Sequence, residues 1–125
     1  MRWIREDIFA IIFDDVKDAD RKDHLTFISV LSNTVLFSIP DVITLEVLAQ
    51  NPVSTHVQSL LVLRETELLI LDCQTFEAKQ IFVPEDQDSE LTDMVVYVEK
   101  NRQKLQIALC IDKEEFRVLQ YLSPC

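Results

Sequence analysis

Three cysteines and two histidines are the side chains of this 125-residue chain that are typical of nucleophilic or metal chemistry. Cys73, Cys110 and Cys125 form no close pair and no CxxC-type spacing, which favours reduced thiols over a disulfide framework or a zinc site. His24 and His56 each precede an apolar segment and are interpreted as polar residues of turns or strand edges. A Cys110–His pair assembled in space is the nucleophilic alternative, although burial in its apolar segment is expected to make that thiol unreactive.

Two stretches of the chain are rich in carboxylates. The first, at 14–23, lacks the Gly and Glu that an EF-hand loop requires at its sixth and twelfth positions, so we interpret it as a solvated loop. The second spans 85–93 and either contacts a basic partner peptide or keeps an exposed loop soluble. Its candidate partner-binding residues are Glu85, Asp86, Asp88 and Glu90.

Glycine is completely absent from the chain. Phosphate-cradling loops and the GxSxG nucleophile elbow need glycine, because the backbone must approach a phosphate closely or turn sharply there. The sequence therefore predicts a non-enzymatic protein without a cofactor, a catalytic residue or a metal site. Turns must be formed by other residues, and the Asn and Asp residues of the predicted turns, Asn33, Asp41 and Asn101, are the best suited to left-handed conformations.

The net charge of the chain limits the classes of partner that it can bind. A formal net charge of −10 opposes binding to nucleic acid or to anionic membranes, both of which need a basic surface. No apolar stretch is long enough for a membrane span, and the charged first residues do not resemble a signal peptide. These features predict a protein of the reducing cytoplasmic side, with protein partners.

The segments of the chain that carry these residues are predicted to be strands. Short β-branched and aromatic segments, separated by polar turns, predict an all-β domain of antiparallel strands. A nearly continuous apolar run within 7–14 indicates a strand buried on both faces, or a helix, whereas the alternation at 104–107 indicates a half-exposed strand. The predicted strands are 7–14, 25–31, 34–39, 44–48, 57–63, 67–72, 76–83, 94–99, 105–111 and 116–122.

A hydrophobic hairpin unit recurs three times, at about 7–50, 57–83 and 93–122. Leu45, Phe76 and Phe116 mark the same short phrase in each copy, 31 and 40 residues apart, a period typical of β-propeller blades. These three residues are therefore expected to occupy equivalent places. The side chains expected in the core are Phe37, Leu61, Leu69, Leu71, Val95, Ile107 and Leu109.

The repeated motif resembles the end of a WD-repeat propeller blade. It consists of an apolar strand that ends in Asp, a short Thr-Leu/Phe-Glu sequence and a further strand. Leu71-Asp72 and Ile111-Asp112 stand where the family has Trp-Asp. Over about 24–83, the segment LSNTVLFSIP at 31–40 and TLEVL at 44–48 resemble late propeller blades of the kinetochore Rod proteins and their relatives, the neuroblastoma-amplified tethering proteins.

The resemblance implies antiparallel meander blades of a partial β-propeller. It also implies a non-enzymatic protein-interaction module in a cytoplasmic multi-subunit scaffold, for a kinetochore checkpoint or for vesicle tethering. Three units cannot close a ring, so we expect a fragment of a longer polypeptide or an array completed by another chain, with self-association through its open edges. The alternative is a self-contained small β-barrel or sandwich that binds a ligand or peptide.

Overall fold

The computed structural model of the chain describes residues 2–14, 23–51, 53–54, 56–86, 88–98 and 104–122. Most of the predicted acidic loop at 14–23, and Cys125, lie outside this part. All regular elements within it are strands: β1 (Arg2–Arg5), β2 (Ile8–Asp14), β3 (Asp23–Ser29), β4 (Thr34–Ile39), β5 (Val42–Gln50), β6 (Val57–Arg64), β7 (Leu68–Asp72), β8 (Ala78–Phe82), β9 (Leu91–Val98), β10 (Lys104–Ile111) and β11 (Glu115–Leu122).

The strands form three antiparallel sheets in chain order. Sheet 1 contains β1 to β4 and sheet 2 contains β5 to β8, whereas sheet 3 contains only β9 to β11. In each sheet, every strand pairs with its neighbours in the sequence, so each sheet is a simple meander. The predicted all-β class with antiparallel meander sheets is confirmed. No helix in the described residues is long and apolar enough to cross a lipid bilayer.

The boundary between the first two sheets differs from the prediction. The repeat pattern predicted 44–48 in the first unit, but β5 pairs along its length with β6 and belongs to sheet 2. Pro40, which has no N–H to donate, and Asp41, at φ 62°, end the pairing of sheet 1. Arg64 of β6 holds this corner: its Nε donates to the Pro40 carbonyl at 2.9 Å, and its Nη2 lies 3.8 Å from the Asp41 carboxylate.

The predicted equivalence of the three anchor residues is wrong. Leu45 lies in the first strand of sheet 2, opposite Val62. Phe76 lies in the turn between β7 and β8, where its φ is 59°. Phe116 lies in the last strand of sheet 3 and is 73% exposed. The sequence motif repeats because Asp residues at strand ends favour turns. Such a turn can lead either to the next strand of a hairpin or to a new sheet, so the motif does not mark equivalent positions.

The sheets stack face to face, with sheet 2 in the middle. One buried cluster joins sheet 1 to sheet 2, and a second cluster joins the opposite face of sheet 2 to sheet 3. Strand β6 therefore contributes to both clusters, through Leu60 and Val62 on one side and Leu61 and Leu63 on the other.

Most of the predicted core is buried. Leu61, Leu69, Leu71, Ile107 and Leu109 are buried, and Phe37 is half-buried against the first cluster. The prediction for Val95 is wrong, because this residue is 67% exposed. In β9, Met94 points into the core, so its neighbour Val95 points to the opposite face of the sheet.

Turns without glycine use left-handed backbone at other residues. Asn33 and Asp41 adopt positive φ as predicted, whereas Asn101 lies outside the described residues. Phe76, Asp112 and Lys113 also adopt positive φ, which was not predicted. A bulky residue in this region is strained, and Phe76 is held there by packing, since its ring stacks on Phe37 at a centroid distance of 5.4 Å.

Candidate interaction surfaces

The predicted partner-binding residues lie in the segment that links β8 to β9. The Glu85 side chain is 87% exposed, and its Oε1 lies 3.8 Å from Nη2 of Arg117. Asp86 accepts a hydrogen bond from the backbone N–H of Asp88 at 3.0 Å. The backbone N–H of Glu90 donates to Oδ1 of Asp112 at 2.8 Å. The four residues thus lie in one segment, which is hydrogen-bonded to the turn between β10 and β11.

The acidic segment has a structural explanation of its own. Its hydrogen bonds fix the crossing from sheet 2 to sheet 3, as the N–H of Leu91 donates to the Glu65 carbonyl at 2.8 Å and that of Asp112 to the Glu90 carbonyl at 2.8 Å. The four acidic residues are exposed, and the ion pair that the described residues show for them joins Glu85 to Arg117. This end of the stack suits a basic partner.

The structure places Cys110 in sheet 3, His24 in sheet 1 and His56 directly before β6, so it does not bring together the Cys110–His pair that the nucleophilic alternative needs. His56 lines a small cavity together with Cys73, whereas Cys110 lies on a different sheet. Burial raises the pKa of the Cys73 thiol to about 12, with a smaller contribution from the neighbouring Asp72 carboxylate, so this thiol is a poor nucleophile. No group of three or more potential metal ligands occurs among the residues that the structure describes.

A cavity of about 360 Å³ opens where sheet 1 meets the linker between β5 and β6. Its lining includes Trp3, Arg5, Glu6 and His56. The Arg5 Nε is buried without a hydrogen-bond partner, 3.7 Å from the Asp7 carboxylate. The volume is at the small end of the range for ligand sites, and the mixed charges suit a polar ligand.

The outer face of sheet 3 is an exposed apolar surface. Two rows of side chains cross the sheet in register: Val95, Ala108 and Val118 form one, and Asp93, Cys110 and Phe116 form the other. A third row adds Tyr97 beside Gln106. The exposed fractions are 67% for Val95, 63% for Tyr97, 73% for Phe116 and 66% for Val118, so no part of the described chain covers this face.

The outer face of sheet 1 is also apolar but less open, since Thr26 on this side of β3 is only 4% exposed and the central residues Phe9 and Ile28 are half-buried. A single row crosses all four strands in register, from Trp3 through Phe9 and Ile28 to Val35. Trp3 and Val35 at its ends are 58% and 62% exposed, and Trp3 packs edge-on against Phe9 at a centroid distance of 5.4 Å. Contiguous apolar faces of this kind mark interaction sites in soluble proteins.

Sequence reasoning did not identify either outer face. The signal was present in sheet 3, because Val95 and Tyr97 in β9, like Phe116 and Val118 in β11, occupy alternate positions on the side opposite the core residues. Apolar residues on both sides of a strand indicate a strand covered on both faces.

Comparisons with known proteins add no relative. No family model matches the chain, and neither a curated protein nor a solved structure matches it significantly.

Proposed function

We propose that this chain is a segment of a β-propeller and serves as a non-enzymatic protein-interaction module. One observation carries the proposal: three meander sheets stack face to face in chain order, the middle sheet is covered on both faces, and both terminal sheets expose an apolar outer face. An array of this kind is stable only when its terminal faces are covered or capped by polar residues.

The exposed faces define the chemistry of the partner. A surface of Val, Tyr, Phe and Trp side chains fits another apolar protein surface, in particular a further β-sheet of the same stack. Closed propellers contain four to eight blades, so one or more additional sheets belong on each outer face. These sheets come from the same polypeptide or from a partner subunit.

The charge supports the same class of partner. The net charge of −10 opposes nucleic acid and anionic lipid, and the acidic segment with Glu85, Asp86, Asp88 and Glu90 suits a basic region of a partner protein. In its specific form, which rests on the sequence resemblance alone, the assembly is a cytoplasmic scaffold for a kinetochore checkpoint or for vesicle tethering.

A second candidate function rests on the cavity beside Trp3 and His56. A self-contained β-domain would use this cavity, of about 360 Å³, for a small polar ligand or a peptide end. In that case the outer faces would have no partner, and truncating outer-face side chains away from the cavity, such as Val35 and Val118, would leave both solubility and ligand binding unchanged.

A hydrophobic dye such as ANS tests the premise of the interaction module, which is that both outer faces are open. We expect the dilute chain to bind the dye, and the double substitution of Val35 and Val118 by Arg to reduce the signal strongly, because one charge then interrupts each outer face. Substituting Val53 by Arg is the matched control, since Val53 is 92% exposed but lies in the linker between β5 and β6. A wild-type chain that binds no dye and melts in one sharp transition would contradict the interaction module.

A further inference from the structure

We propose that two copies of this chain associate head to tail, the outer face of sheet 3 of each copy packing on the outer face of sheet 1 of the other, to close a ring of six sheets. The inference rests on the proposed function and names the occupant of its interaction surfaces. It follows from the polarity of the stack, the area of its faces and the position of its charges.

The stack has two different ends. Sheet 1 uses the face with Phe27 to contact sheet 2, and it leaves the row from Trp3 to Val35 open. Sheet 3 uses the face with Ile107 and leaves the rows with Val95 and Cys110 open. A symmetric contact between two copies of the same face would cover only one of these open faces in each molecule. Head-to-tail docking, closed on itself, covers both.

The area of the faces favours the closed pair. Sheet 3 has three strands of eight residues, which cover roughly 14 Å by 27 Å, or about 400 Å². One contact between two such faces buries about 800 Å² in total, which is the size of a crystal contact, whereas two contacts reach about 1,600 Å², the size of a standard specific interface. The second contact also forms within an existing complex, so its effective concentration is high.

The outer faces are suited to this contact because their rows contain few charges. Asp93 is the only charged side chain in the rows described above, and it lies at the start of β9, near the acidic end of the stack. The net charge of −10 per copy opposes association at long range, and salt screens this repulsion. We therefore expect the pair to become tighter as the salt concentration rises, in contrast to a contact held by ion pairs.

Sedimentation equilibrium across the micromolar range tests the mass of the assembly. The expected species has twice the monomer mass of 14.6 kDa, and its fraction rises with salt. Val35→Arg and Val118→Arg should each leave the protein monomeric, because each interrupts one side of every head-to-tail contact. Both positions are exposed, so circular dichroism and the melting curve should show that the variants remain folded, and Val53→Arg should still dimerise.

Mixing the two monomeric variants distinguishes head-to-tail from symmetric docking. The Val35→Arg copy keeps an intact sheet 3 face and the Val118→Arg copy keeps an intact sheet 1 face, so the mixture can form one proper contact. We expect its average mass to exceed that of either variant alone only at the highest protein concentrations, because a single contact of about 800 Å² is weak. A dimer that Val118→Arg disrupts and Val35→Arg leaves intact would overturn the head-to-tail arrangement.

A wild-type chain that stays monomeric throughout would overturn the self-association. If that monomer still binds ANS through its outer faces, the interaction module stands with a different polypeptide as partner. If the monomer binds no dye, the proposed function fails as well.

Discussion

Strands β6 and β10 both have eight residues and both lie inside a sheet, yet they are buried in different ways. In β6, four consecutive residues, 60–63, are completely buried because sheet 2 has a neighbour on each face. In β10, Ile107, Leu109 and Ile111 are buried, whereas Ala108 and Cys110, which alternate with them, are only half-buried. The difference shows that burial in this stack depends on neighbouring sheets, and that sheet 3 lacks one.

The largest expected effect on stability is in β6, which contributes side chains to both buried clusters. Truncating Leu61 to Ala removes side-chain contacts from a completely buried site and should cost about 2–5 kcal/mol of unfolding free energy. Val95→Ala in the exposed row of sheet 3 should cost less than about 0.5 kcal/mol in the monomer. Urea unfolding of both variants at low protein concentration measures the two values. Equal losses would mean that the outer face of sheet 3 is covered within one chain.

An intermediate effect is expected at the junction of sheets 1 and 2, where Cys73 is buried. Its pKa is raised from 9.0 to about 12 in the folded chain, so the folded state binds the thiol proton more tightly than the unfolded state. This contribution to stability is complete below pH 9 and is lost as the pH rises from 9 toward 12, at up to about 1.4 kcal/mol per pH unit.

The difference in unfolding free energy between the wild type and Cys73→Ala isolates this contribution, because other groups titrate equally in both proteins. The advantage of the wild type should shrink between pH 9 and 11. A constant difference over that interval would show that the folded thiol ionises as readily as the unfolded one.

The smallest effect on stability is expected for substitutions in the turn that joins β10 to β11. Lys113 adopts φ 63° and is exposed, so replacing it by Gly should relieve left-handed strain and stabilise sheet 3 by about 1 kcal/mol. Asp112→Gly relieves similar strain but also removes the oxygen that accepts the Glu90 N–H, so it should be nearly neutral. A destabilising Lys113→Gly would show that the turn is not strained in solution.

Local patterns in the sequence predicted the strands well and the sheets less well. The apolar run within 7–14 correctly indicated a strand, β2, but not its burial on both faces, because Phe9 and Ile11 are only half-buried. The alternation at 104–107 correctly indicated a strand with one covered face. The boundary at Pro40 and Asp41 could not be predicted, because a turn residue does not specify whether the next strand pairs with the previous one. Arg64 decides this from 24 residues away in the chain. The outer faces were missed because an apolar residue on a strand does not reveal which neighbour covers it.

The most direct test follows one probe on each outer face as the protein concentration changes. Trp3 is the only tryptophan of the chain and lies on the outer face of sheet 1, and Cys110 lies on the outer face of sheet 3. We expect Trp3 emission to shift to shorter wavelength and Cys110 alkylation, located by peptide mapping, to slow over the same rise in concentration. Cys73 should stay unreactive throughout. Probes that do not respond to concentration would contradict the account, and a response of only one probe would contradict the closed head-to-tail pair.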